Sequence, residues 1–438
     1  MNRRQVLKGI GAAAAVAVVK TSGPSWLAEL QAQAPIDWAG RIGALARPGA
    51  GEIAVTAVGD MIISSPAGGR SAPDVQQMYR VLREADASFG NCEEPVASVG
   101  FMYQKTSQMA WPEILDDFKA TGFTMLSAAN NHYMDLGDAG LLQGLDESRK
   151  RGFAISGAGR NVEEATAVAV RTVKGVRVGL LSFWCSAAQS DYTTYARAAA
   201  GKTGVAVIAG QQVTVPDGKG GSAAMTLPLA ADMRLLDEAV KKARPQVDFL
   251  MVSFHQHWAG LANPNPRRSD PNNRRILPAD LNDPVNRIAE GRQMICRAAV
   301  DAGADVIIGH GPHVLNGVEI YKGKPILYSL GHYYMEILRD GKALPEFRFN
   351  PGMVASVENN WYLEEHRWAA IARMIVRGNR VTRLEILPVT MNVQKDGFPA
   401  LPSRADASAI NSAMTELSKP FGTTLRTSDW YTEVALAT

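Results

Sequence analysis

Residues 305–317, DVIIGHGPHVLNG, decide how the rest of the chain is read. Val306, Ile307 and Ile308 form a short apolar run of the kind that makes a buried strand, and the run stops at Gly309. Two histidines follow within four residues, His310 and His313, in a chain of 438 residues that has only 7. A strand that ends in glycine and imidazoles presents donors at a sheet edge.

Similar runs occur along the chain at 53–58, 123–127, 176–183, 249–254 and 325–330, each followed by a loop containing Gly, Asn, Asp or Ser. Helical patterns lie between them at 72–85, 111–121, 140–151, 231–243 and 285–302. Strands alternating with helices predict an α/β sheet covered on its faces. Some runs are far apart in sequence, which leaves a mixed sheet and a purely parallel one both open. Two segments break the rhythm, the Ala- and Gly-rich 187–222 and the Pro/Asn/Arg-rich 260–284, and both read as long loops. No internal repeat and no second globular domain is expected, and the polar end from residue 388 is expected to wrap the main body.

The first 34 residues form a separate object. Arg3 and Arg4 precede an Ala/Val-rich run and then small polar residues, which is the order of an export signal, and R-R-x-x-L-K at 3–8 is similar to a twin-arginine signal. The expected location is therefore periplasmic or cell-surface. The run is shorter than the roughly 20 residues that span a bilayer. The chain has 46 Lys and Arg against 43 Asp and Glu; the leader holds four of the former and one of the latter, so the remainder balances. That balance gives no ground for nucleic-acid binding. Arg267, Arg268, Arg274 and Arg275 fall in the 260–284 loop. Three scattered cysteines do not make a disulfide framework, and free buried thiols are expected.

Donors recur just past the predicted strands: Asp60; Asn91 and Glu93; Asn130, Asn131, His132 and Asp135; His255 and His257; His310 and His313; His332. Each alone is an ordinary turn or rim residue, and His257 and His332 read that way. Their repetition after successive strands is not ordinary. Ligands of open α/β sheets bind beyond the carboxyl ends of the strands, where segments distant in sequence meet. Oxygen and imidazole donors suit Mn, Fe or Zn. Two such ions bridged by a carboxylate would clamp an attacking hydroxide and a leaving oxygen.

The motifs GDM (59–61), NCE (91–93), ANNHYMDLGDAGL (129–141), VSFHQHW (252–258) and the run at 302–334 resemble the CapA family of capsule and poly-γ-glutamate synthesis proteins. The resemblance implies a calcineurin-like metallophosphoesterase fold, a four-layer αββα sandwich with mixed sheets, over residues 52–395. A C-terminal extension, 396–438, would pack on that domain. It also implies a metal set of Asp60, Glu93, Asn131, His255, His310 and His313, with His257 as an alternative or addition to His255. His132 would be the catalytic histidine that touches substrate oxygens, oriented by Asp135. The phosphoesterase opening Asp-x-His reads Asp60-Met61-Ile62 here, and the family often has Asn where His332 stands.

The implied activity is divalent-metal hydrolysis of a phosphoester or amide by a metal-bound hydroxide, in capsule or poly-γ-glutamate biosynthesis. Two other uses of the same site are γ-glutamyl transfer, release or epimerisation, and non-catalytic polymer binding. The expected partners are an anionic polymer or a small phosphoester or peptide substrate, and membrane-bound capsule synthesis proteins.

Overall fold

The computed structural model describes residues 36–63, 73–100, 109–216, 222–256, 258, 290–336, 338–339, 342–343, 367–391 and 397–436. It divides into two units. Of the first, Met1–Asp37, only Ile36 and Asp37 are described. The second, Trp38–Thr438, carries everything that follows. The expected leader, the 260–284 segment and His257 lie outside the described residues.

The body begins with α1 (Trp38–Gly43). There follow β1 (Ile53–Ile62), α2 (Pro73–Arg83), β2 (Ala87–Cys92), α3 (Ile114–Thr121), β3 (Met125–Ser127), α4 (Gly137–Lys150) and β4 (Ala154–Ser156). The next elements are β5 (Ala169–Val173), β6 (Val176–Ala187), α5 (Asp191–Ala196), β7 (Val207–Pro216), β8 (Ser222–Pro228), α6 (Ala230–Ala243) and β9 (Phe249–Gln256). After α7 (Glu290–Ala302) come β10 (Val306–His310), β11 (Val318–Tyr321), β12 (Lys324–Leu327) and β13 (His332–Met335). The chain closes with β14 (Trp368–Arg377), β15 (Arg380–Met391), β16 (Pro399–Ala400), α8 (Arg404–Ser418), β17 (Leu425–Ser428) and β18 (Tyr431–Val434).

Two large mixed sheets result. The first has the order β17-β18-β15-β14-β1-β2-β3-β4, with β1 to β4 parallel and joined by helical crossovers. The second has the order β8-β7-β6-β9-β10-β12-β11, parallel from β7 to β12. Alternation along the strands decides the layers. Val306 and Ile308 of β10 face inward with Leu180 and Met251, onto Val55, Ala57 and Phe89 of the first sheet. Ile307 faces outward, onto Leu236 and Val240 of α6 and Ile295 and Ala299 of α7. On the other flank Val81 and Leu82 of α2, Phe118 of α3 and Leu145 of α4 cover Val58 and Leu126. The architecture is the αββα sandwich expected from the sequence.

The 187–222 segment is not a long loop. It holds the short helix α5 and the ten-residue strand β7, which pairs with β6 at Trp184↔Val207 and with β8 as a hairpin. Ala and Gly have poor strand propensity, but partners on both edges outweigh it. The C-terminal residues add strands to the first sheet: β16 and β18 both pair with β15, and α8 is tied to them by Asn411 Nδ2 donating to the Trp430 carbonyl. Cys92, Cys185 and Cys296 are free and buried. Among the described residues no helix is long and apolar enough to cross a membrane.

Candidate metal centre

Strand register brings the donors together. Asp60 of β1 lies opposite Asn91 of β2, and His255 of β9 lies opposite His310 of β10. The sheets face each other, so these two edges meet across the sandwich. Asp60, Glu93, His255 and His310 are all buried.

The Asp60 carboxylate is the hub. Its Oδ1 accepts from Asn91 Nδ2 at 2.9 Å and lies 3.3 Å from His310 Nδ1 and 3.5 Å from His255 Nδ1. Its Oδ2 accepts from the Gly311 backbone N–H at 2.9 Å and lies 3.1 Å from His313 Nδ1. The HGPH turn that delivers these groups needs its glycine: Gly311 has φ +106°, and a Cβ there would meet Gln256 N at 2.7 Å. His313 itself takes φ +61°, a left-handed conformation costly for any residue with a Cβ.

Asn131 Oδ1 is 2.7 Å from His255 Nε2, while Glu93 Oε1 is 3.9 Å from His255 Nε2 and 3.7 Å from His313 Nε2. The structure thus gathers Asp60, Glu93, Asn131, His255, His310 and His313 at one point. His132 stands beside Asn131 at the rim, its side chain 20% exposed, with Nδ1 2.7 Å from Asp135 Oδ2. Asp135 Oδ1 accepts from the Tyr192 hydroxyl of α5 at 2.7 Å.

The electrostatics are those of a site that wants a cation. Burial pushes the Glu93 carboxyl well above its usual range, and the Asp60 charge pushes it further. Burial also works against ionised Asp60, but hydrogen bonds from His255, His310 and His313 outweigh it and hold Asp60 well below the usual range. Burial drives His255 down to about 4, so its imidazole is neutral and able to ligate.

The residues fit a divalent ion. His255 Nδ1, His310 Nδ1 and Asp60 Oδ1 form a triangle with edges of 3.0, 3.3 and 3.5 Å. An ion bound at about 2.1 Å to donors at tetrahedral or octahedral angles needs edges of about 3.0–3.4 Å. Glu93 Oε2 and His310 Nε2 are buried with no hydrogen-bond partner among the described residues. Such groups are rarely left unsatisfied in a native protein. A second group, Asp60, His313 and His332, also has its ligand atoms within 4.8 Å of one another.

Three participants lie outside the ligand set drawn from the sequence. Asn91 bridges Asp60 and His255, at 2.9 and 3.2 Å. His332, which read as a rim residue, is instead fully buried. The buried Arg292 of α7 binds Gln256 and Asn316, neighbours of the histidine-bearing segments. Asn91 and His332 carried a signal, since both follow predicted strands.

Comparison with known proteins gives the family. The family described as Bacterial capsule synthesis protein PGA_cap matches residues 54–276 and 282–336, well over half of the chain. The chain belongs to the PGA_cap family. That family is metallophosphoesterase-like. A Sinorhizobium fredii (strain NBRC 101917 / NGR234) protein, "Uncharacterized protein y4sH", is 27% identical over 86% of this chain and 91% of its own length. The "PGA biosynthesis protein CapA" of Bacillus subtilis (strain 168) is 29% identical over 60% of this chain and 56% of its own length. The "Capsule biosynthesis protein CapA" of Bacillus anthracis is 24% identical over 83% and 73%.

Proposed function

We propose that this PGA_cap protein is a divalent-metal hydrolase acting on an anionic polymer in capsule or poly-γ-glutamate biosynthesis. The carrying observation is the meeting of Asp60, Glu93, Asn131, His255, His310 and His313 at one buried point with His132 at its rim. The names of the Bacillus relatives support the polymer. Bound Mn, Fe or Zn ions, two by the donor count, would lower the pKa of a water molecule and polarise a phosphoryl or carbonyl oxygen.

The protein's own groups do the rest. Asp60 offers one oxygen to each of two histidine groups and so fixes their spacing. Glu93 reaches toward both His255 and His313 from the other side. Asp135 holds His132 through Nδ1, which leaves Nε2 as the atom that gives a proton to a leaving oxygen. Tyr192 fixes the second Asp135 oxygen, so the carboxylate keeps its orientation.

The test is turnover after chelation and reconstitution with Mn or Zn, comparing an aryl phosphate diester with poly-γ-glutamate. Metal-dependent cleavage of the diester supports phosphoester hydrolysis. Cleavage, transfer or epimerisation of the polymer alone moves the chemistry to the γ-glutamyl bond. Polymer binding that survives chelation, with no turnover, replaces the enzyme by an assembly factor. Export by a twin-arginine leader and work beside membrane-bound capsule synthesis proteins belong to the same proposal, and N-terminal sequencing of the secreted fraction tests the leader.

A further inference from the structure

We infer that His332 is a ligand of a second metal subsite, on the opposite side of Asp60 from the His255/His310 pair. The inference rests on the metal-centre reading above and goes beyond it, because His332 is outside the ligand set drawn from the sequence.

The two Asp60 oxygens look onto different imidazoles. Oδ1 faces His255 and His310, whereas Oδ2 faces His313. A first subsite is complete with two histidines and a carboxylate oxygen. The second has one histidine and one Asp60 oxygen, with Glu93 Oε1 3.7 Å from His313 Nε2, and lacks the second imidazole of the first unless another group joins it. His332 is that group. Its ligand nitrogen lies within 4.8 Å of those of Asp60 and His313, and its ring stacks on His313 with centroids 4.4 Å apart and planes at 8°.

The fold goes to some length to put it there. β14 pairs with the first half of β1 and stops at Ala57; β13 then takes over the same edge, parallel, with His332 opposite Asp60. The hand-over requires backbone contact. Asp60 N–H donates to the Gly331 carbonyl at 3.1 Å, and a Cβ on Gly59 would lie 1.9 Å from that carbonyl oxygen. Gly331 sits at φ +73° to make the turn. The His313 partner is itself held in a left-handed conformation. Phenylalanine would fill the same buried space without a desolvated imidazole. An ion held by both rings takes one nitrogen from each, the rings turning out of the parallel stack so that each in-plane lone pair meets it.

Phenylalanine therefore provides the test, since it retains the stack and the burial but has no donor. Full-length wild type, His332→Phe and His310→Ala are stripped with chelator and titrated with Mn or Zn. Stoichiometry is read by equilibrium dialysis with elemental analysis, and the metal-induced rise in unfolding temperature is read alongside. Wild type should take two equivalents. His332→Phe should retain one at wild-type affinity and bind the second at least about 100-fold more weakly, beyond the usual effect of an outer-sphere change. His310→Ala should lose the other equivalent.

If His332→Phe binds both ions within threefold of wild type, the ligand role is overturned and the metal centre stands. One equivalent in both wild type and His332→Phe overturns it as well. No metal in wild type removes both this inference and the hydrolase reading. Should His332→Phe fail to fold, His332→Ala replaces it under the same outcomes.

Discussion

Replacing Arg292 by methionine isolates what a buried guanidinium contributes to the site. Arg292 is 4% exposed, and its partners are neutral oxygens: Nε donates to Gln256 Oε1 at 2.5 Å, and Nη2 donates to Asn316 Oδ1 and the Tyr328 carbonyl, each at 3.0 Å. Gln256 follows His255, and Asn316 lies three residues past His313, so one side chain ties two histidine-bearing segments together. Burial lowers the Arg292 pKa, but a guanidinium starts so high that it stays charged. Methionine retains the apolar stem and removes every donor. Three buried acceptors then lose charge-assisted bonds of roughly 1.5–3 kcal/mol each. Relief of the guanidinium desolvation returns several kcal/mol, which leaves a net loss of about 3 kcal/mol. With a urea slope of about 3 kcal/mol per molar, the unfolding midpoint falls by about 1 M. Metal affinity should fall at least about tenfold through the loosened neighbours. A midpoint shift below about 0.3 M at unchanged slope would refute this account of Arg292.

Further outcomes follow from single observations. His255 has a folded pKa of about 4 against about 6.5 unfolded, so the unfolded chain takes up the proton first as pH falls. Metal-free protein should therefore lose up to roughly 3 kcal/mol between pH 6.5 and 4, and urea unfolding of His255→Gln should lack that slope. Gly59→Ala places a methyl group 1.9 Å from the Gly331 carbonyl oxygen and should cost more than about 3 kcal/mol or prevent folding, read by thermal unfolding and soluble yield. Tyr192→Phe removes the hydroxyl that binds Asp135 and should slow aryl diester turnover about three- to tenfold with metal content unchanged; loss of metal instead would place Tyr192 in the ligand framework.

Much of the sandwich was legible because several of its buried strands are built on apolar runs bounded by glycine or a polar cluster, as at Val306–Ile308 of β10, whereas the buried antiparallel pair β14 and β15 was not among the runs read from the sequence. β1 read as ending at Val58, yet it continues to Ile62, because its last residues acquire a new partner in β13 that no local pattern announces. β7 was hidden for a related reason: its Ala, Gly and Gln residues are weak strand formers, and pairing on both edges decides the matter. The metal set was legible as donors past strand ends. His332 was seen as a strand-end donor, but its importance depends on its register with Asp60. Arg292 looks like an ordinary helix-surface arginine in sequence, and only the packing of α7 against Gln256 and Asn316 makes it internal.

Everything functional turns on the Asp60 carboxylate joining two groups of imidazoles around cations. Elemental analysis of the chelator-stripped, Mn- or Zn-reconstituted protein, wild type beside Asp60→Ala, tests this directly. The account predicts two equivalents in wild type and none held tightly in Asp60→Ala, since each candidate group includes that residue. Wild type that emerges metal-free, or an Asp60→Ala variant that retains both ions, would contradict it.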